Sequence, residues 1–495
     1  MTTTDPASRD GGPPPGCPAH APSAPTGPIA MPARIRTDTV AATALYSAAF
    51  AEDPAAIYTE LRRQGTAGLV ELSPGVTASL VIGYEAALAV LRDPENFPRD
   101  PRRWQQTMAP DCPVLPMMQH RQSAVFNDGE VHRRLRSSVT DSLDRIDPTT
   151  LRKYVERSAD TLIDDFADKG EADLLAEYAR LLPILVFNQL LDCPPHLSAS
   201  LVRCLAAIFE GGAEAAEANQ ELGRCMLELI TLRQQNPGND LLSWLISHPH
   251  RLDTQELMDQ LTMLLAGGIE PVQNLIANAL RLLLSDARFA GDLSGGSLPV
   301  DDALVEILWT DPPLANFGPA YPTEDVRLPD GTVLPAGRPV VVSYAAANID
   351  PNLAGDRGTG NRAHLAWSAG PHTCPGQSQA RIIASLAIEK VLDRLPDVEL
   401  ALPEEDLRWR LGPFQRALTA LPVRFPPVAV PEDPGGPVPT APIEARAVGG
   451  SSRQAADPPS GRPTATAPQA GAPGGRARTT GPRWMSALVR WWRGQ

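Results

Sequence analysis

The chain has 495 residues, with 44 Lys and Arg against 58 Asp and Glu and a net charge of −14, so it lacks the basic surface that a nucleic-acid binder needs to neutralise phosphates. Its six cysteines, at 17, 112, 193, 204, 225 and 374, form no CxxC pair and no regular spacing, which argues against a zinc site or a disulfide framework and fits a reducing compartment. The first residues do not run from a basic segment into an apolar one, and no stretch reaches the ~18 apolar residues of a spanning helix, so a soluble, cytoplasmic protein is expected.

Residues 1–44 are rich in Pro, Gly, Ala, Ser and Thr and cannot bury enough apolar surface to order themselves, which predicts a disordered leader. The periodic apolar pattern of a folded core runs from 45 to about 425 and reads as one large domain. Within it, DPAAIYTELRRQG (53–65) has helical spacing and stops at Gly65. GLVELSPGVTASLVIGY (68–84) alternates and turns at Pro74-Gly75, as a hairpin does. EAALAVLRDPENF (85–97) returns to helix and ends before Pro101, and residues 98–127, without a clear period, read as a long loop.

The segment DGEVHRRLRSSVTDSL (128–143) opens on an Asp cap and continues basic, with His132 and Arg136 four apart on one helix face. Arg133 and Arg134 point elsewhere and are candidates to face an acidic electron-transfer partner. Helical patterns then continue almost unbroken from 148 to 247. QELMDQLTMLLAGGIEPVQNLIANALRLLLSD (255–286) is apolar on most of its circumference and is expected to cross the core. At its centre, GGIEPVQN places Gly267, Gly268, Glu270 and Pro271 together, and a proline there is expected to kink the helix. ALVEILWTDPPLANFG (303–318) is a further helix carrying Glu306 and Trp309, and residues 321–351 read as short strands with turns at Asp330-Gly331 and Ala336-Gly337.

The most informative stretch is HLAWSAGPHTCPGQSQAR (364–381). Its one cysteine, Cys374, stands between Gly370 and Gly376 and just ahead of a helical run, ARIIASLAIEKVLDRL. A thiolate with no second cysteine nearby suits a single axial metal bond, and the amides at a helix start stabilise a negative sulfur. The two glycines would let the backbone approach a flat cofactor. After it, residues 426–480 have the composition of a disordered linker. Residues 481–495 place Trp484, Leu488, Trp491 and Trp492 among Arg483, Arg490 and Arg493, a basic amphipathic segment suited to a membrane surface or a partner groove.

Trp367, Gly370, Cys374 and Gly376 together resemble the haem-binding loop of the cytochrome P450 family, with Trp367 where the family usually has Phe. The preceding His-Leu-Ala and the following Ala380-Arg381 also match, and the resemblance covers residues from about 45 to 425. It implies a mainly α fold with small β-sheets and a bound haem b, with Cys374 as the iron ligand. It further implies that His132 and Arg136 meet the haem carboxylates and that His372, Trp367, Gly370, Gly376, Gly267 and Gly268 also border the cofactor. Glu270 falls at the family's proton-handling acid, but Pro271 replaces the threonine beside it and offers neither a hydroxyl nor an amide hydrogen. Trp309 replaces the arginine of Glu-x-x-Arg, Ala320 an arginine that usually meets a propionate, and Ile349 an arginine near the strand end. The tryptophan resembles an actinobacterial, conservon-associated branch.

The activity implied is a haem-thiolate oxidoreductase of monooxygenase type, acting on a small apolar molecule with electrons from a ferredoxin and its reductase. Glu270 and Cys374 would be its catalytic residues. The alternative implied by the departures is a haem-binding component of a membrane-associated signalling or assembly complex with weak or no monooxygenase activity.

Overall fold

The computed structural model describes residues 41–210, 215–286, 288, 300–353 and 361–429. The expected leader, linker and basic aromatic tail therefore lie outside the described residues, except at 41–44 and 426–429. What is described is mainly helical with small sheets.

The amino-terminal part follows the expected order. A helix, Pro54–Arg62, is capped by the Asp53 carboxylate accepting from the Ala56 amide at 2.9 Å. It leads into the antiparallel pair Ala67–Ser73 and Val76–Val81, whose turn Gly75 makes at φ +79°. The pair belongs to a mixed five-stranded sheet in the order Thr43–Ala44, Ala67–Ser73, Val76–Val81, Val340–Ser343, Asn316–Ala320. Residues 98–127 are not one featureless loop: short helical turns form at Arg102–Gln105, Leu115–Met118 and Ala124–Phe126. Each is too short to leave an amphipathic period in the sequence.

The central helix, Thr254–Ser285, starts on a capping box in which Asp253 and Glu256 each accept from the other's backbone amide. Every residue from Val272 to Leu283 is buried, so this half of the helix crosses the core on all its faces. The helix runs on through Pro271 without interruption. Proline supplies no N–H to the Gly267 carbonyl four residues before it, so one rung of the helix is missing there.

The helix that follows the cysteine, Gln377–Arg394, packs against both the central helix and Pro148–Asp164. Lys390 and Arg394 each reach the Asp160 carboxylate at 2.8 Å, and the buried Tyr178 hydroxyl donates to the Ala387 carbonyl at 2.7 Å. The register of this helix fixes where its N-terminal loop, and hence Cys374, stands over the central helix.

Candidate active site

A cavity opens between the central helix and the cysteine loop, with about 1720 Å³ of empty space when its mouth is included. Its walls are mostly apolar: Leu264, Val272, Leu275, Phe187, Phe317 and Ile383 are among them. Of the residues singled out in the sequence, Cys374, Gly376, His372, Trp367, Arg136, Gly267, Gly268 and Pro271 line it. His132 stands behind the wall, and Glu270 and Gly370 do not border the cavity.

The cysteine loop is held by its own backbone. The Cys374 amide donates to the Trp367 carbonyl at 2.8 Å, and the Thr373 hydroxyl to the Gly370 carbonyl at 2.8 Å. Burial pushes the Cys374 thiol up, while the Gly376 amide on the sulfur and the Arg136 guanidinium pull it down. Gly376 leaves open space beside it, the nearest atom to an added Cβ being Leu143 Cδ1 at 4.0 Å. The φ of Gly370 is +68°, and a Cβ there would stand 2.3 Å from the Leu91 carbonyl oxygen, so the loop's seat on the helix Tyr84–Arg92 by itself requires the glycine.

Beyond the loop lies a polar edge. The rings of His132 and His372 are 4.2 Å apart, and His372 Nε2 is 3.3 Å from Asp128 Oδ1. Asp128 does not cap its helix with its side chain, as the sequence predicts; its other oxygen accepts from the Arg99 amide at 2.6 Å. His132 is buried and its Nε2 has no partner among the described residues, an unusual state for a buried polar atom. Burial chiefly, with help from His372 and Arg136, depresses its pKa to about 4. Arg134 does not face outward to a partner: it is ion-paired with Glu256 of the capping box. The exposed Arg133 pairs with Glu130.

On the central helix, Gly267 opens onto the cavity with nothing near an added Cβ, whereas Gly268 is occupied from the side. The Phe187 ring lies where its Cβ would be, at 2.3 Å. Glu270, expected as a catalytic acid, is engaged by other parts of the chain. It is buried, ion-paired with Arg410, and its second oxygen accepts from the Gln415 amide. Gln415 in turn accepts from Asn274 at 2.8 Å and from Arg410 at 3.1 Å. A carboxylate held on both oxygens and turned from the cavity is a strut between this helix and the segment Arg410–Gln415. No local pattern announces such a pairing, because the partners lie 140 and 145 residues downstream.

Trp309 is buried, stacks edge-on against His364 and donates its indole N–H to the Asn361 carbonyl at 2.9 Å. Glu306 finds a partner in Arg288, 3.6 Å away. Glu306 and Trp309 therefore make no contact of a charged pair with each other; Trp309 is held by packing and one neutral hydrogen bond. Sequence reasoning passed over Arg99, which is buried and lines the cavity; no spacing rule connects it to the motifs around it.

A haem fits these residues. The cavity supplies one thiol without a second cysteine in its wall, an apolar surround, and an edge of cationic and imidazole groups in which a buried donor or acceptor atom, His132 Nε2, lacks a partner among the described residues. Two carboxylates of a porphyrin would meet that edge.

No protein-family model matches the chain. It is 34% identical over 391 residues to the cytochrome P450 monooxygenase PikC of Streptomyces venezuelae, covering 76% of this chain and 92% of that protein. It is 32% identical over 382 residues to the mycinamicin IV hydroxylase/epoxidase of Micromonospora griseorubida, covering 74% and 94%. Among solved structures, CYP154C4 from a Streptomyces species superposes with a TM-score of 0.69 at 29% identity, over 78% of this chain and 98% of that one.

Proposed function

The chain belongs to the cytochrome P450 family and is a haem-dependent monooxygenase, and from that premise we propose that Cys374 is the iron ligand and that the substrate is a small, mostly apolar molecule taken into the cavity beside it. Haem, held by these residues, would supply the reductive activation of dioxygen needed to place one oxygen atom in the substrate. The rest of the work belongs to the chain. Cys374 provides a charged sulfur whose thiolate form is favoured by the Gly376 amide and Arg136. His132, Arg136 and His372 hold the cofactor's carboxylates, and Trp367 and Gly376 border the ring. The apolar wall excludes bulk water and strengthens every polar contact inside it.

Proton supply is where this chain departs from its family. Glu270 is committed to Arg410 and Gln415, and Pro271 has no hydroxyl, so delivery falls to a hydroxyl of the substrate or to water in the cavity. A substrate with a hydroxyl near its reacting carbon is therefore favoured. The relatives named for hydroxylation and epoxidation support oxygen insertion over the alternative of a non-catalytic complex component. A ferredoxin as electron donor, a cytoplasmic location, and contact of residues 481–495 with a membrane or partner belong to the same proposal. The first two rest on the bacterial relatives, and the last on the arginines and tryptophans of that segment.

The observation that carries the assignment is a single cavity-lining cysteine on a loop held by the Trp367 carbonyl. Absorption spectra of the reduced, CO-bound protein test it. The wild type is expected to show the band of a thiolate ligand, and Cys374→Ser to lose that band together with product formation. A variant that kept the thiolate band would sink the assignment.

A further inference from the structure

The sequence has Ala320 where its relatives would carry an arginine toward the cofactor, yet a guanidinium stands beside that place. Arg99 is 3% exposed, and its Nη1 donates to the Pro319 carbonyl at 3.0 Å, the residue just before Ala320. Its backbone is fixed from both sides. The Tyr321 amide donates to the Pro98 carbonyl at 2.7 Å, and the Arg99 amide to Asp128 Oδ2 at 2.6 Å. Room for it comes from Gly318, at φ +65°, where a Cβ would stand 3.2 Å from Arg99 Nη1 and 2.8 Å from the Tyr344 hydroxyl.

That investment leaves a charge without a counter-charge. Among the described residues the Arg99 guanidinium has one acceptor, a neutral carbonyl, and no carboxylate within ion-pair distance. Burying an ion in that state is costly unless something else completes it. The neighbours do not. Arg136 and His372 line the same cavity, His132 Nε2 is buried without a partner among the described residues, and the one nearby carboxylate, Asp128, already serves the Arg99 amide and His372. The edge has more donors than acceptors, and the missing acceptors must come from what fills the cavity.

We propose that Arg99 is a haem-positioning residue of this chain, its guanidinium binding a cofactor carboxylate from the loop after residue 97 and so replacing the strand arginine that Ala320 lacks. A planar fork suits a carboxylate in a way that a lysine does not. This inference rests on the haem reading of the cavity given above.

The full-length holoprotein, with Arg99→Gln and Arg99→Lys, tests it by three measurements: the rate of haem loss to excess apomyoglobin, the propionate bending band in resonance Raman spectra, and the reduction potential. For Arg99→Gln, haem loss is expected to speed up by at least tenfold and the propionate band to shift. The potential should fall, because a cation that favours the more negative ferrous form is gone. Arg99→Lys keeps the charge and should keep most of the potential, yet still shift the band. Faster haem loss with an unshifted band would overturn the proposal in favour of a purely structural role, as would a variant indistinguishable from wild type. Should Arg99→Gln not fold, an unshifted band in Arg99→Lys overturns the proposal in the same way, and a shifted one supports it. A colourless wild type would instead overturn the haem reading itself.

Discussion

Two polar groups flank the cavity, and they are built on opposite principles. On the central helix, Glu270 is buried with both oxygens engaged by Arg410 and Gln415, a closed network that asks nothing of a ligand. On the far edge, Arg99 and His132 are buried with their polar atoms under-supplied. A network satisfied by the protein carries stability, whereas one left open carries binding. The difference decides what each residue does better than its position in a motif does. By motif Glu270 is singled out and Arg99 is not, yet Glu270 is the group whose oxygens are both engaged by the protein and Arg99 the one with a single neutral acceptor.

The largest effect that follows concerns the closed side. Removing the Glu270 carboxylate as Glu270→Ala leaves the Arg410 cation with only the neutral Gln415 oxygen as acceptor, and one-sided loss of a buried pair costs about 3–5 kcal/mol. Because the Arg410 side chain is about one-fifth exposed at 21%, water recovers part of this, and the low end, about 3 kcal/mol, is expected in urea unfolding. Glu270→Gln, which keeps a hydrogen-bonding partner, should lose less. Turnover of the folded Gln variant should change by less than about threefold, since ~0.65 kcal/mol is the corresponding barrier change. A drop of two orders of magnitude with stability intact would return Glu270 to the proton path and break the comparison.

Much of this was open to sequence reasoning, for reasons that can be stated residue by residue. Gly370, Cys374 and Gly376 sit within seven positions, so their loop is a local feature, and His132 and Arg136 share a helix face by periodicity alone. The hairpin at Pro74-Gly75 is likewise local. What stayed hidden depends on contacts between distant segments. Arg99 meets Pro319 across 220 residues and Glu270 meets Gln415 across 145. A reason for Gly370 was hidden too, for it lies in the Leu91 carbonyl, which no loop motif contains. The fate of Arg134 was set by Glu256, 122 residues away.

The open side has its own signature in pH. His132 has its pKa lowered to about 4 by burial, and His364 is lowered to about 4 by burial and by Arg381. Between these values and the unfolded value near 6.5, the unfolded chain binds more protons than the folded one, so stability rises with pH in that window. The contribution is full above about pH 6.5, is lost as pH falls toward 4, and is gone below. For His132 a bound carboxylate would favour the charged ring and oppose the shift. Haem-loaded protein should therefore lose less stability between about pH 6.5 and about pH 4 than haem-free protein, and His132→Gln should narrow that gap. Equal pH slopes with and without haem would mean that the edge is not where the cofactor's charge lies.

The smallest effect belongs to a contact that is neither open nor charged. Trp309 offers one neutral N–H to the Asn361 carbonyl and a ring edge-on to His364. Trp309→Phe keeps an aromatic ring in the buried site and removes that donor. The Asn361 backbone is only partly buried, so water can take the vacated place, and the cost should be that of one ordinary hydrogen bond plus some lost packing, about 0.5–1.5 kcal/mol. Haem content should be unchanged, because no part of Trp309 lines the cavity. Urea unfolding and the haem-to-protein absorbance ratio check the two halves separately. A large loss of haem from this variant would show that a neutral, fully paired group can govern the site as strongly as an unpaired buried charge, which is the rule the two flanks of the cavity argue against.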